Sequence, residues 1–119
     1  MAYLDIMALP LDPGRREDYQ RMTVLFGAFV KEQGALAYTE ALAQDVPRGE
    51  TTDWYRAVAA NGEETVAVAV TRWPDKATRD AAWSAMETDE RFKDMRPEDM
   101  PFDGRRMFWG GFEPIYETS

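Results

Sequence analysis

From Thr65 to Trp73 the side chains alternate without a break, Val66, Val68 and Val70 pointing one way and Ala67, Ala69 and Thr71 the other. A period of two is that of a strand, and apolar groups on both sides predict a strand at the centre of a sheet, flanked on both edges and covered on both faces. The rest of the chain must supply those neighbours. With 119 residues it has the length of one domain, spanning 1–119, and too little for two of ordinary size.

Upstream, Tyr3 to Leu9 is a short apolar run ending at Pro10, which suits a first strand. Asp12, Pro13 and Gly14 offer a cap or turn, after which Tyr19, Met22, Phe26, Phe29, Val30 and Gln33 recur at helical spacing. Such an aromatic stripe predicts packing on a sheet, with Gly34 as the C-terminal cap. Ala35 to Ala43 alternates again, placing Leu36, Tyr38, Glu40 and Leu42 on one face and small residues on the other. Asp45 to Glu64 is irregular; inside it, Thr52 to Val58 fits either a strand or a short helix capped by Thr52 or Asp53. Beyond the central strand, Pro74 and Asp75 open a second helix, predicted to turn Ala77, Ala81, Ala85 and Met86 inward. A charged run from Glu87 to Asp99 reads as solvated surface. The last strand is expected over Arg106–Tyr116, with Met107, Trp109 and Gly111 on one face and Phe108, Gly110 and Phe112 on the other. Its paired glycines mark a bulge or a close approach of another backbone or ligand, the bulge being the plainer expectation.

This order is the βαββαβ pattern of a ferredoxin-like α+β domain with an antiparallel sheet. Both helices would cover one face, leaving large apolar side chains on the other with no cover from the same chain. A symmetric homodimer pairing two sheets is the economical solution.

Composition narrows the chemistry more than it defines it. The chain has neither Cys nor His, so disulfides, thiolate nucleophiles, imidazole bases and nitrogen ligands for zinc are all absent. A formal charge of -8, with Arg15, Arg16 and Arg21 interleaved among Glu17 and Asp18, opposes binding to nucleic acid or to anionic membranes. The first ten residues lack the basic and apolar regions of a signal peptide, no segment has membrane-spanning length, and a cytoplasmic location is expected. No acidic loop has calcium-site spacing, so neither metal nor cofactor is expected.

Under those limits a carboxylate must act as any base, with Arg or Tyr as the electrophilic partner. Glu40 and Asp53 are the catalytic candidates, and Asp5, Tyr38, Trp54, Arg72 and Trp109 are candidates for lining a ligand pocket. Glu40 lies on the larger-residue face of its strand, where burial would raise its pKa; at a solvated sheet edge it would be an ordinary carboxylate.

Asp45-Val46-Pro47-Arg48-Gly49 with Thr52-Asp53-Trp54, Trp73-Pro74 with Arg79-Asp80, and Met100 to Met107 followed by Gly110-Gly111-Phe112-Glu113 resemble the DUF1428, or YbaA-like, family of bacterial proteins. The resemblance covers nearly the whole chain and implies a dimeric α/β barrel; it implies no activity, because the family has no known function. Where a Cys is usual after the position of Glu40 this chain has Ala41, where a Gly is usual it has Ile6, and a Ser-Trp pair is replaced by Ala69 and Val70. Two readings of function follow. One is a small-molecule-binding or cofactor-independent enzyme-like protein; the other is a non-catalytic dimeric module that binds a protein partner or serves as an accessory factor, through its acidic exterior.

Overall fold

The computed structural model describes residues 2–118. Its strands are β1 (Tyr3–Leu11), β2 (Ala37–Leu42), β3 (Thr65–Trp73) and β4 (Phe108–Phe112), and its helices α1 (Arg16–Glu32), α2 (Trp54–Ala57) and α3 (Lys76–Met86). The strands form one antiparallel sheet in the order β2-β3-β1-β4, so the ferredoxin-like expectation holds and β3 is indeed internal. The sheet is open, with β2 and β4 as its edges. With extents of 38 × 38 × 20 Å the molecule is a slab, as a sheet whose two long helices form one layer should be.

Pairing register fixes the faces. Tyr3, Asp5, Met7, Leu9 and Leu11 of β1 lie beside Ala67, Ala69, Thr71 and Trp73 of β3, Tyr38, Glu40 and Leu42 of β2, and Trp109 and Gly111 of β4. This face meets α1 and α3. One cluster there joins Leu9, Leu11 and Ala67 to Tyr19; a second joins Trp73 to Phe29, Val30 and Ala82. Removing an aromatic such as Phe29 fully from water contributes about 1.5–3 kcal/mol.

The opposite face is covered only at one end. There Val58, with Tyr55 and Ala60, packs on Ala8 and Val66. The undecided stretch is thus a short helix, capped by Asp53, whose carboxylate accepts from Arg56 N at 2.8 Å. Trp54, by contrast, stays half exposed. Further along this face Val70, Phe108 and Phe112 are exposed, so β3 has full cover on one side alone.

Several boundaries differ from expectation for identifiable reasons. β1 continues through Pro10 to Leu11, because β4 stops pairing at Ala8 and Pro10 lies where β1 has lost one neighbour. β4 is shorter than the predicted Arg106–Tyr116. In α3 Ala85 and Met86 pack inward as expected, joined by Arg79, Ala82 and Trp83, while Ala77 and Ala81 face solvent: the helix is rotated to bring Trp83 onto Phe26, Trp73 and Trp109. Apolar alanines carried too little area to outweigh that aromatic burial. Gly34 does take the left-handed conformation, at φ 102°, after α1.

Candidate functional site

Two clusters of polar side chains form on the helix-covered face. The first lies between α1 and the outer edge of β2. Glu40 and Tyr38 are two residues apart on β2 and share a face, while Tyr19 comes from the second turn of α1. The Tyr19 hydroxyl donates to Glu40 Oε1 at 2.7 Å, and the Tyr38 hydroxyl donates to Oε2 in a still shorter bond. Gly27 of α1 makes this possible, since a Cβ there would sit 3.1 Å from the Tyr38 ring. Phe102 meets Tyr19 edge-on, with ring centroids 5.8 Å apart.

Phe102 in turn is held by the turn that follows it. Asp103 accepts from Arg105 N at 3.0 Å, and Arg106 reaches Glu64 through Nη1 at 2.6 Å and Nη2 at 2.9 Å. Arg106 Nη1 also donates to the carbonyl of Ala59 at 3.0 Å. The Phe-Asp-Gly-Arg-Arg stretch is therefore a clamp that joins the α2 segment to the last loop and seats Phe102 against Tyr19.

Burial raises the pKa of Glu40 above its ordinary value, and the bonds from Tyr38 and Tyr19 offset only part of that. Both tyrosines are pushed far up, each chiefly by burial and then by the neighbouring Glu40, so they remain neutral donors. Tyr19 and Glu40 line an open cleft of about 350 Å³ with Arg16, Gln20, Thr23 and Gln44. A carboxyl group there can hold or release a proton, while the two tyrosine hydroxyls, each with its one proton given to Glu40, steady that carboxyl group.

The second cluster surrounds Asp5, which is 6% exposed. Trp73 Nε1 donates to its Oδ2 at 3.0 Å, and Arg79 donates through Nε at 3.1 Å and Nη2 at 3.0 Å to Oδ1. Arg79 lies over the rings of Tyr3 and Trp109, at 5.3 and 5.8 Å. All the strong donors around Asp5 come from the protein itself, and the cluster ties α3 to the sheet.

Of the residues singled out from sequence, the structure joins Glu40 to Tyr38 and brings Asp5 near Trp109. Asp53 and Trp54 stand apart from both: the helix that Asp53 caps packs on the other face of the sheet, and the backbone N–H groups of Arg56 and Gly49 hold the Asp53 carboxyl below its usual range. Arg72, also on that face, pairs with Glu117 at 3.2 Å. Tyr19 and Arg79 escaped the sequence reading as site residues. Tyr19 was absorbed in an aromatic stripe, and Arg79 lies in a helix whose rotation the alanine pattern misjudged. Among the described residues there is no group of three or more carboxylates that could hold a metal, and no helix is long and apolar enough to cross a membrane.

Comparison with known proteins agrees with this architecture. The chain is 41% identical to the uncharacterized protein YbaA of Escherichia coli K12 over 119 residues, covering 98% of this chain and 99% of YbaA, and equally so to that of Shigella flexneri. Among solved structures it is similar to a dimeric ferredoxin-like protein from an uncultured marine organism, with a TM-score of 0.59 at 12% identity over 98% of both chains. Rv0793 from Mycobacterium tuberculosis matches with a TM-score of 0.50 at 15% identity over the full length of both. The model of the DUF1428 family, proteins of unknown function, matches residues 2–104, and the chain belongs to that family.

Proposed function

We propose that the protein is a small-molecule-binding homodimer in which the Glu40 cleft receives a polar ligand and Glu40 exchanges a proton with it. One observation carries the reading: a carboxyl group with a raised pKa, held by two tyrosine hydroxyls, lines an open cleft.

The dimer rests on the uncovered sheet face. Val70, Phe108 and Phe112 are 41%, 47% and 54% exposed there, next to Ile6 and Leu4 on β1, and the similar marine protein is described as dimeric. Two open sheets meeting on these faces form a dimeric α/β barrel. The cleft lies beside α1, on the helix side, so a partner on the bare face leaves it open to ligand.

Native mass spectrometry of gently purified protein, followed by Glu40→Gln, tests this reading. A dimer with a reproducible extra mass that Glu40→Gln abolishes, while the dimer persists, is the expected result. A dimer without bound mass, whose cleft responds to no ligand, sinks the binding reading in favour of the accessory module; a monomer sinks the dimer.

A further inference from the structure

We infer that the ligand of the Glu40 cleft is a small carboxylate that also bears a hydroxyl or amino group, its carboxylate held by Arg16 and its donor group by Glu40. This rests on the cleft being a ligand site, and adds the class of molecule that fits it.

Arg16, Gln20 and Thr23 are spaced four and three residues apart, so they form one ridge of α1 along the cleft, opposite Ala41 to Gln44. The guanidiniums beside Arg16 are occupied, Arg15 and Arg21 both pairing with Asp18 at 3.0 and 2.7 Å. Among the described residues Arg16 is exposed and is neither ion-paired nor hydrogen-bonded through its side chain. An Arg fork matches a carboxylate in two parallel bonds. One such fork suits one negative charge. Glu17 and Asp18 pair with Arg21 and Arg15, so Glu40 is the carboxyl group lining the cleft itself, and it disfavours a dianion such as phosphate there.

Glu40 defines the other end. Each of its oxygens takes one tyrosine hydroxyl, and an ionised carboxylate oxygen has two acceptor positions. One position on each oxygen is left for a donor from the ligand. The amides of Gln20 and Gln44 provide further neutral partners along the wall. An acceptor inside and a cation along the wall are complementary to a molecule with a donor at one end and an anion at the other.

The test titrates the ¹⁵N-labelled full chain with lactate, glycine, acetate and methyl lactate. Lactate or glycine should shift the amide signals of residues 16–23 and 40–44, the responding one of the two showing whether hydroxyl or amine is preferred, and acetate and methyl lactate should bind more weakly. Arg16→Gln should weaken the lactate or glycine response about tenfold, and Arg16→Lys should restore part of it. Arg16 is exposed, so neither change disturbs the core. Equal binding of lactate and its methyl ester, or an Arg16→Gln variant that binds as the parent does, overturns the carboxylate assignment and leaves the cleft reading standing. If none of the four probes moves the cleft signals, the carboxylate assignment falls, and the mass retained by the parent but not by Glu40→Gln decides the cleft reading separately.

Discussion

Glu40 is ionisable, mostly buried and hydrogen-bonded on both oxygens, and these three properties set its dependence on pH. The folded state binds its proton more tightly than the unfolded chain, whose carboxyl titrates near the ordinary value of 4.5. The resulting contribution to stability is complete below that value and is lost as pH rises through the raised folded pKa. Urea denaturation of the parent and of Glu40→Gln across pH 3.5 to 8 should therefore show the parent losing ground to the variant as pH rises, then levelling off; a constant difference would show that Glu40 titrates normally. At Asp5 the charge is met directly by Arg79 and Trp73. Asp5→Ala leaves the guanidinium of Arg79, only 12% exposed, with Asp80 at 2.9 Å as its remaining ion-pair partner and frees the indole N–H of Trp73, and should cost about 1–3 kcal/mol in the same assay. Removing both charges, as in Asp5→Leu with Arg79→Met, should cost less than the sum of the two single changes.

Along β4 the two glycines do different things. The ladder with β1 runs unbroken from Leu4–Phe112 to Ala8–Phe108, so the expected bulge is absent. Gly111 is instead a close approach: a Cβ there would lie 2.7 Å from Arg79 Nη2 and press on the Tyr3 ring. At Gly110 the nearest atom is in the Phe112 ring, 3.7 Å away, an ordinary contact. Gly111→Ala should thus cost about 1–3 kcal/mol by thermal or chemical unfolding, and Gly110→Ala close to nothing. Comparable losses from both would show that strand conformation, not the Arg79 and Tyr3 packing, sets the requirement. The same close packing explains the orientation of α3, which turns its larger side chains to the sheet.

For the whole molecule, α1 and α3 on one side of an open sheet, with α2 covering just one end of the other, leave Val70, Phe108 and Phe112 in water unless a second copy covers them. Val70→Asp or Phe112→Asp places a charge in that contact without touching the helix-side core. Light scattering after size exclusion should report a monomer for either variant where the parent is a dimer, and unchanged dimers would move the interface elsewhere. Because Glu40 lies on the helix side, these variants should keep whatever ligand response the cleft has.

Strand and helix order, the faces of β3 and β4, the Gly34 cap and the family resemblance were legible in the residues, because alternation and helical period are local properties. So was the interest of Glu40, from its place among larger side chains. The partners of Glu40 were not legible: Tyr19 is twenty-one residues away and reaches it only because α1 folds back on β2 past Gly27. Nor could local pattern decide which alanines of α3 face inward, whether Asp53 capped a helix, or which of two glycines was essential. Each depends on which side chains from distant segments compete for the same space, and that competition exists only once the chain has folded.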